Sequence, residues 1–194
     1  MSIETLNLTL IGLASLILLI ILGIWFALTR RRTQKLREKY GSEYDYTMEQ
    51  TGGQPQAEAA LEEREKRVHS LDIRELSSDQ WNRYILDWSE IQTKFVDDPS
   101  NSVERANRLI IEVMIARGFP VADFEQRAED LSVFYPQFVP DYRQANAIAL
   151  KNQNNTATTE ELRQAMVYYH SLFNELLGIT DTRIMEIQEK EAVT

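Results

Sequence analysis

The stretch SSDQWNRYILDWSEIQTKFV, residues 77–96, decides the fold class. Its large apolar side chains recur at helical spacing and fall on one stripe, which is typical of an amphipathic helix. They are Trp81, Tyr84, Ile85, Trp88, Ile91, Phe95 and Val96. Ser77 and Gln80 stand three residues apart just before the stripe, the spacing of a capping box at a helix start. The stretch therefore predicts a capped helix with one face turned into a core.

The same pattern continues through residues 72–178, and no part of it alternates with the period of two that strands require. Start and stop signals divide this part into further helices. These signals are Asp98-Pro99 and Gly118, then Pro136 and Pro140, then the second capping box of Thr158 and Glu161, and Gly178. We therefore expect an all-α fold in which residues 72–178 form a bundle of about five helices.

Residues 5–29 carry no charged side chain, and the core of this run is dominated by leucine and isoleucine. A helix of this length spans a hydrocarbon layer of about 30 Å. A cleaved signal peptide needs basic residues before the apolar run and a small-residue cleavage site after it. Here Glu4 precedes the run and Trp25-Phe26 stand near its end. The sequence thus predicts an uncleaved transmembrane anchor in residues 1–29, with residues 5–29 in the bilayer.

A run of six basic residues follows the apolar run, whereas none precedes it. The positive-inside rule then predicts a single-pass protein with its N-terminus outside and its C-terminal domain in the cytoplasm. The inverted topology stays open as an alternative. The basic side chains either serve only as this topology signal or also contact anionic lipid headgroups. They are Arg30, Arg31, Arg32, Lys35, Arg37 and Lys39.

We expect residues 30–71 to form a basic juxtamembrane segment followed by a flexible, charged helical tether. Gly52-Gly53 and Pro55 interrupt any helix there. The segment after them has few large aliphatic residues, which is typical of a solvated helix or of one packed along a thin seam. Residues 179–194 are expected to form a C-terminal tail, either a frayed helix or a disordered end.

Composition excludes several classes of function. The chain of 194 residues has no cysteine and two histidines, so disulfides, thiolate metal sites and cysteine nucleophiles are excluded. The net charge is −9, and beyond Lys39 the chain has 15 basic and 28 acidic residues, a net charge of −13. Nucleic-acid binding needs a basic face and is not expected. A protein partner with a basic surface fits this charge better.

Catalytic signatures are missing from the sequence. It contains no GxxxxGK[ST], GxGxxG, GxSxG or HExxH motif. Neither histidine has a glutamate three residues before it, the spacing of a bundle metal site. We therefore expect no catalytic, cofactor-binding or metal-binding residue.

The segment around Arg127 has two interpretations. Arg127 lies in a stretch dense in charged and aromatic residues, with Tyr142, Arg143 and His170 as candidate companions in an interaction surface or pocket. An arginine-centred network that orients a short helix explains the same residues without any chemistry.

Residues 39–178 resemble a group of uncharacterised bacterial proteins with one N-terminal hydrophobic span. The resemblance rests on the motifs FVDDP at residues 95–99, FEQRA at residues 124–128 and LRQA at residues 162–165. It implies a bacterial source and a folded helical unit. It implies no activity, cofactor or catalytic residue.

Together these observations favour an adaptor or scaffold domain held at the bacterial inner (plasma) membrane, where it binds a protein partner. The alternative is an enzyme or a small-ligand-binding domain with a pocket around Arg127, Tyr142 and His170. The alternative requires these three side chains to lie together in one pocket, whereas the adaptor hypothesis does not.

Overall fold

The structure of the chain is a computed structural model that describes residues 3–120 and 122–178. Side chains are left undescribed at residues 3–12, 14, 15 and 25 of this range. The described part is all-α and contains no strand. Its helices are α1 (Ile3–Tyr40), α2 (Ser42–Thr51), α3 (Gln54–His69), α4 (Ser78–Lys94), α5 (Pro99–Ala116), α6 (Phe124–Phe134), α7 (Val139–Gln153) and α8 (Thr159–Leu176). A short 3₁₀ turn, Pro136–Phe138, joins α6 to α7. The predicted tail at residues 179–194 lies outside the described residues.

The five helices α4 to α8 confirm the bundle predicted for residues 72–178. Helix α8 packs against α5 and α7, and α4 packs against α5. Their inward faces supply one continuous core whose centre includes Ile110, Tyr142, Tyr169 and Phe173. This burial of apolar surface is the main stabilising contribution to the bundle. One residue of the deciding stripe was predicted wrongly: Val96 follows the end of α4 and is 85% exposed.

The helix boundaries follow from local capping chemistry. Ser77 and Gln80 form the predicted capping box of α4, and Thr158 and Glu161 form that of α8. The carboxylate of Asp98 accepts a hydrogen bond from the Asn101 backbone N–H at the start of α5. Such caps satisfy backbone N–H groups that have no partner inside the helix.

Gly118 ends the α5 segment in a left-handed conformation with φ of 95°. A Cβ atom at this position would lie 2.2 Å from the backbone oxygen of Asp72. Both the dihedral angle and the close approach therefore require glycine at this turn.

The prediction of a flexible tether between residues 40 and 71 is wrong, because this segment is folded. Helices α2 and α3 form a packed hairpin, and α3 also contacts α6 of the bundle. The predicted helix break is present, since Gly52 adopts a left-handed conformation between α2 and α3. A small second core holds the hairpin to the end of α1. It consists of Leu36, Tyr40, Tyr44 and Leu61, with Met48 packed against it.

Helix α1 passes without interruption from the apolar run through the basic run and ends at Tyr40. Its described apolar side chains at residues 13, 16–22, 24, 26 and 28 are exposed on all sides of the helix. Across the part of the chain that the structure describes, no helix meets the length and apolarity needed to cross a membrane. This finding does not support the transmembrane anchor predicted for residues 1–29, which stays a prediction.

Candidate functional site

The six basic residues at the C-terminal end of α1 fall into two groups. Three of them form ion pairs with the hairpin. Nε of Arg32 lies 2.6 Å from Glu62, Arg37 lies 3.9 Å from Asp45, and Lys39 pairs with Glu65. These pairs lie on the surface, where each contributes little to stability. Their effect is to hold the acidic hairpin beside the basic run.

The remaining three cations have other surroundings. The guanidinium of Arg30 lies 4.4 Å from the ring centroid of Phe26. Arg31 and Lys35 are exposed and stand one helical turn apart on α1. Together with Leu28 and Leu36 they line a cleft of about 580 Å³ between α1 and α3. The structure thus separates Arg31 and Lys35 from the neutralised members of the run.

A polar cluster fixes the start of α3 against α1. The Glu58 carboxylate accepts hydrogen bonds from the Thr33 hydroxyl at 2.6 Å and from the Gln54 amide at 3.0 Å. The Tyr44 hydroxyl donates to the same carboxylate at 3.3 Å. Burial and the nearby Glu58 charge raise the pKa of Tyr44, so its hydroxyl keeps the proton that it donates.

A buried ionic network joins the hairpin to the bundle, and it centres on Glu43 of α2. Arg64 of α3 and Arg143 of α7 donate to the same carboxylate oxygen at 3.0 and 3.1 Å. Arg64 also donates to the Ser132 hydroxyl of α6 at 3.0 Å. Glu43 and Arg64 are almost completely buried. The network around the buried Glu43 carboxylate therefore connects α2, α3, α6 and α7.

A second set of ion pairs lies beside the first. Arg67 of α3 donates to Asp130 at 2.9 Å and to Glu129 at 3.1 Å, and Asp130 is buried. Burial lowers the pKa of Arg67, but the two carboxylates outweigh it and the pKa is raised. Arg67 thus keeps its proton, and its two ion pairs fix α3 against α6.

Arg143 is the one member of the network that the sequence singled out. Besides Glu43 it pairs with Glu125, and its guanidinium lies 4.1 Å from the ring centroid of Tyr46. Burial lowers the pKa of Arg143, whereas Glu43 and Glu125 raise it, and the net change is upward. A guanidinium held in this way orients the helices that it joins.

Sequence reasoning did not single out Glu43, Arg64 or Arg67. Arg64 is 21 residues from Glu43, and Arg143 is 100 residues from it. No local spacing reveals such pairs. The sequence offered one indirect signal. Helix α3 has few large aliphatic residues, so charged side chains form much of its contact with the bundle.

Arg127 and Tyr142 contact each other as the sequence suggested. Nε of Arg127 lies 3.4 Å from the Tyr142 hydroxyl, and the guanidinium also donates to the Ala122 carbonyl. The acidic neighbours along α6 are engaged elsewhere, since Asp123 caps the helix and Asp130 binds Arg67. Tyr142 is buried, and burial raises its pKa.

His170 lies on another side of the bundle. Its ring stacks on Trp88 of α4 with centroids 5.1 Å apart, and burial lowers its pKa. It lines an open cleft of about 190 Å³ with Phe95 and Val167. Because Arg127 and Tyr142 meet between α6 and α7, the structure does not bring His170 into a pocket with them.

Within the described ranges, no group of three or more acidic or histidine side chains is placed to hold a metal ion. Comparison of the chain with protein-family models, with curated proteins and with solved structures gives no match. The resemblance to a bacterial family remains a prediction.

Proposed function

We propose that this chain is a membrane-anchored helical module that binds a protein partner as an adaptor or scaffold. The observation that carries the proposal is the continuity of α1. The apolar side chains that the structure describes between residues 13 and 28 are exposed, while Leu36 and Tyr40 at its other end are buried against the hairpin. A helix that is apolar on every side belongs in a protein core or in a bilayer. The described residues provide no core around it.

The hairpin makes the connection between anchor and bundle short and stiff. α1 contacts α2 and α3, and the Glu43 network ties both of them to the bundle. A folded domain attached in this way is held at a defined height above the bilayer. Such a fixed position suits a protein that presents a surface to a partner in the same membrane.

The orientation and the class of partner rest on charge. The basic run on the C-terminal side of the apolar run favours an inner-membrane protein with its N-terminus outside and the bundle in the cytoplasm. The chain beyond Lys39 has a net charge of −13. An acidic surface attracts and orients a partner with a basic surface.

The anchor is tested by placing charge in the apolar run. Wild-type protein is expected to stay with the membrane pellet during alkaline carbonate extraction. Ile17→Arg with Ile21→Arg should release it, because each central arginine costs about 3 kcal/mol for insertion. Leu86→Arg with Val96→Arg is the matched control, since these bundle side chains are 70% and 85% exposed. Equal extraction of wild type and both variants contradicts the anchor.

The interaction role is tested by crosslinking and co-purification from native membranes. The full-length protein is compared with residues 1–39 alone, which keep the apolar and basic runs. A partner captured only with the bundle present supports the proposal, and the compartment of that partner checks the orientation. Identical captures from both chains contradict an interaction role for the bundle.

A further inference from the structure

The cleft between α1 and α3 differs from the rest of the chain in its charge. Four cations and two carboxylates line it, so its net charge is +2 in a molecule whose net charge is −9. The carboxylates of Glu62 and Glu65 are bound by Arg32 and Lys39. Arg31 and Lys35 supply the remaining positive charge, and both are exposed.

The walls of this cleft lead towards the apolar part of α1. Leu36 is buried at its base, and Leu28 is 60% exposed at its rim. Ile24 follows one helical turn nearer the N-terminus and is also exposed. Two cations and an exposed aliphatic stripe therefore follow one another along a single side of the helix.

The opposite side of α1 carries less positive charge. A second cleft there includes Arg30, Arg37 and Glu38. Arg30 lies over the Phe26 ring, and Arg37 pairs with Asp45. Among the described residues, the Arg31 side therefore has two cations without an ion pair, Arg31 and Lys35, and the opposite side has one, Arg30.

We infer that the cleft between α1 and α3 binds the phosphodiester headgroup of an anionic phospholipid. Arg31 and Lys35 hold the phosphate, and an acyl chain lies along Leu28 and Ile24. This inference rests on the proposed membrane anchor, since it needs the apolar part of α1 in the bilayer. It assigns two of the six basic residues to lipid recognition and the three paired ones to the hairpin.

The test uses the full chain in phosphatidylcholine nanodiscs that contain a minor fraction of phosphatidylglycerol. Spin-labelled phosphatidylglycerol and phosphatidylcholine report which lipid is immobilised at the protein. Wild type is expected to prefer phosphatidylglycerol. Arg31→Gln with Lys35→Gln should reduce that preference by about fivefold for each charge removed. Both side chains are exposed, so the substitutions leave the fold intact.

The matched control is Arg83→Gln with Arg108→Gln, which removes the same charge from exposed positions of the bundle. It should keep the wild-type preference. An equal loss in both double variants, or no preference in wild type, overturns the inference. Loss of the preference on addition of inorganic phosphate also overturns it, because the site would then bind the free ion. A chain that does not enter the nanodisc refutes the anchor itself, whereas a chain that enters without preference refutes this inference alone.

Discussion

Glu43 is a carboxylate with 1% of its surface exposed, and two arginines from different helices share one of its oxygens. Removing an ion from water costs several kcal/mol, and only close partners compensate for that cost. The position of Glu43 therefore requires Arg64 and Arg143 to stay where they are. Glu43 thus helps to set how the hairpin packs on the bundle, together with the ion pairs of Arg67.

Arg64→Leu tests this dependence at the residue scale. We expect a loss of about 3 kcal/mol in the free energy of unfolding, because a buried carboxylate loses one of its two partners. The measurement is urea denaturation of the full chain in mild detergent. Arg83→Leu, an exposed arginine on α4, is the control and should change stability by less than about 0.5 kcal/mol.

A double variant separates the charge from the packing. Glu43→Leu combined with Arg64→Leu removes the buried ion together with its partner, so it should be less destabilising than Arg64→Leu alone. If Arg64→Leu unfolds at the same urea concentration as Arg83→Leu, the network does not hold the hairpin.

The residues of this network mark the limit of prediction from sequence. Arg143 was singled out because it lies near aromatic and charged neighbours, but its main partner is 100 residues away. The cap residues were predictable because Ser77 and Thr158 act on groups three residues away. Pairings that depend on the tertiary fold leave no such spacing.

At the scale of elements, the same distinction explains why the bundle was predicted and the hairpin was not. Helices α4, α5 and α8 each carry an apolar stripe that indicates a buried face. Helices α2 and α3 have few large aliphatics, and ion pairs connect them to α6 and α7. In sequence, a charged segment of this kind has the composition of a solvated linker, and only the tertiary structure shows its partners.

The capping box of α8 gives a pH-dependent prediction. A hydrogen bond from Lys151, followed by bonds from the Thr158 backbone and hydroxyl, lowers the pKa of Glu161 to about 2. Its ordinary value is 4.5, so the stabilisation is complete above pH 4.5 and is lost as pH falls towards about 2. Glu161→Gln should therefore show a weaker fall in melting temperature across this range.

The measurement is thermal unfolding by circular dichroism at a series of pH values. Lys151→Met removes the largest cause of the shift and should flatten the same acid limb. Curves for both variants that run parallel to wild type contradict a stabilising role for this capping box.

At the scale of the whole molecule, one helix joins two different environments. The described apolar side chains of α1 from Leu13 to Leu28 are exposed, and those at its end enter the second core with Tyr44 and Leu61. Three members of the basic run between them pair with the hairpin, and among the residues that the structure describes no carboxylate pairs with Arg30, Arg31 or Lys35. Helix α1 therefore supports the hairpin at one end, and the proposed function makes its other end the anchor.

The proposed function requires a bilayer to cover the apolar part of α1. Leu19 of α1 and Leu86 of α4 have similar exposure in the structure, 66% and 70%. The chain has no cysteine, so Leu19→Cys and Leu86→Cys each introduce a single thiol. The measurement is labelling by a water-soluble maleimide in native membranes made permeable on both faces. The account predicts rapid labelling at position 86 and none at position 19 until detergent is added. Equal labelling at both positions before detergent would contradict it.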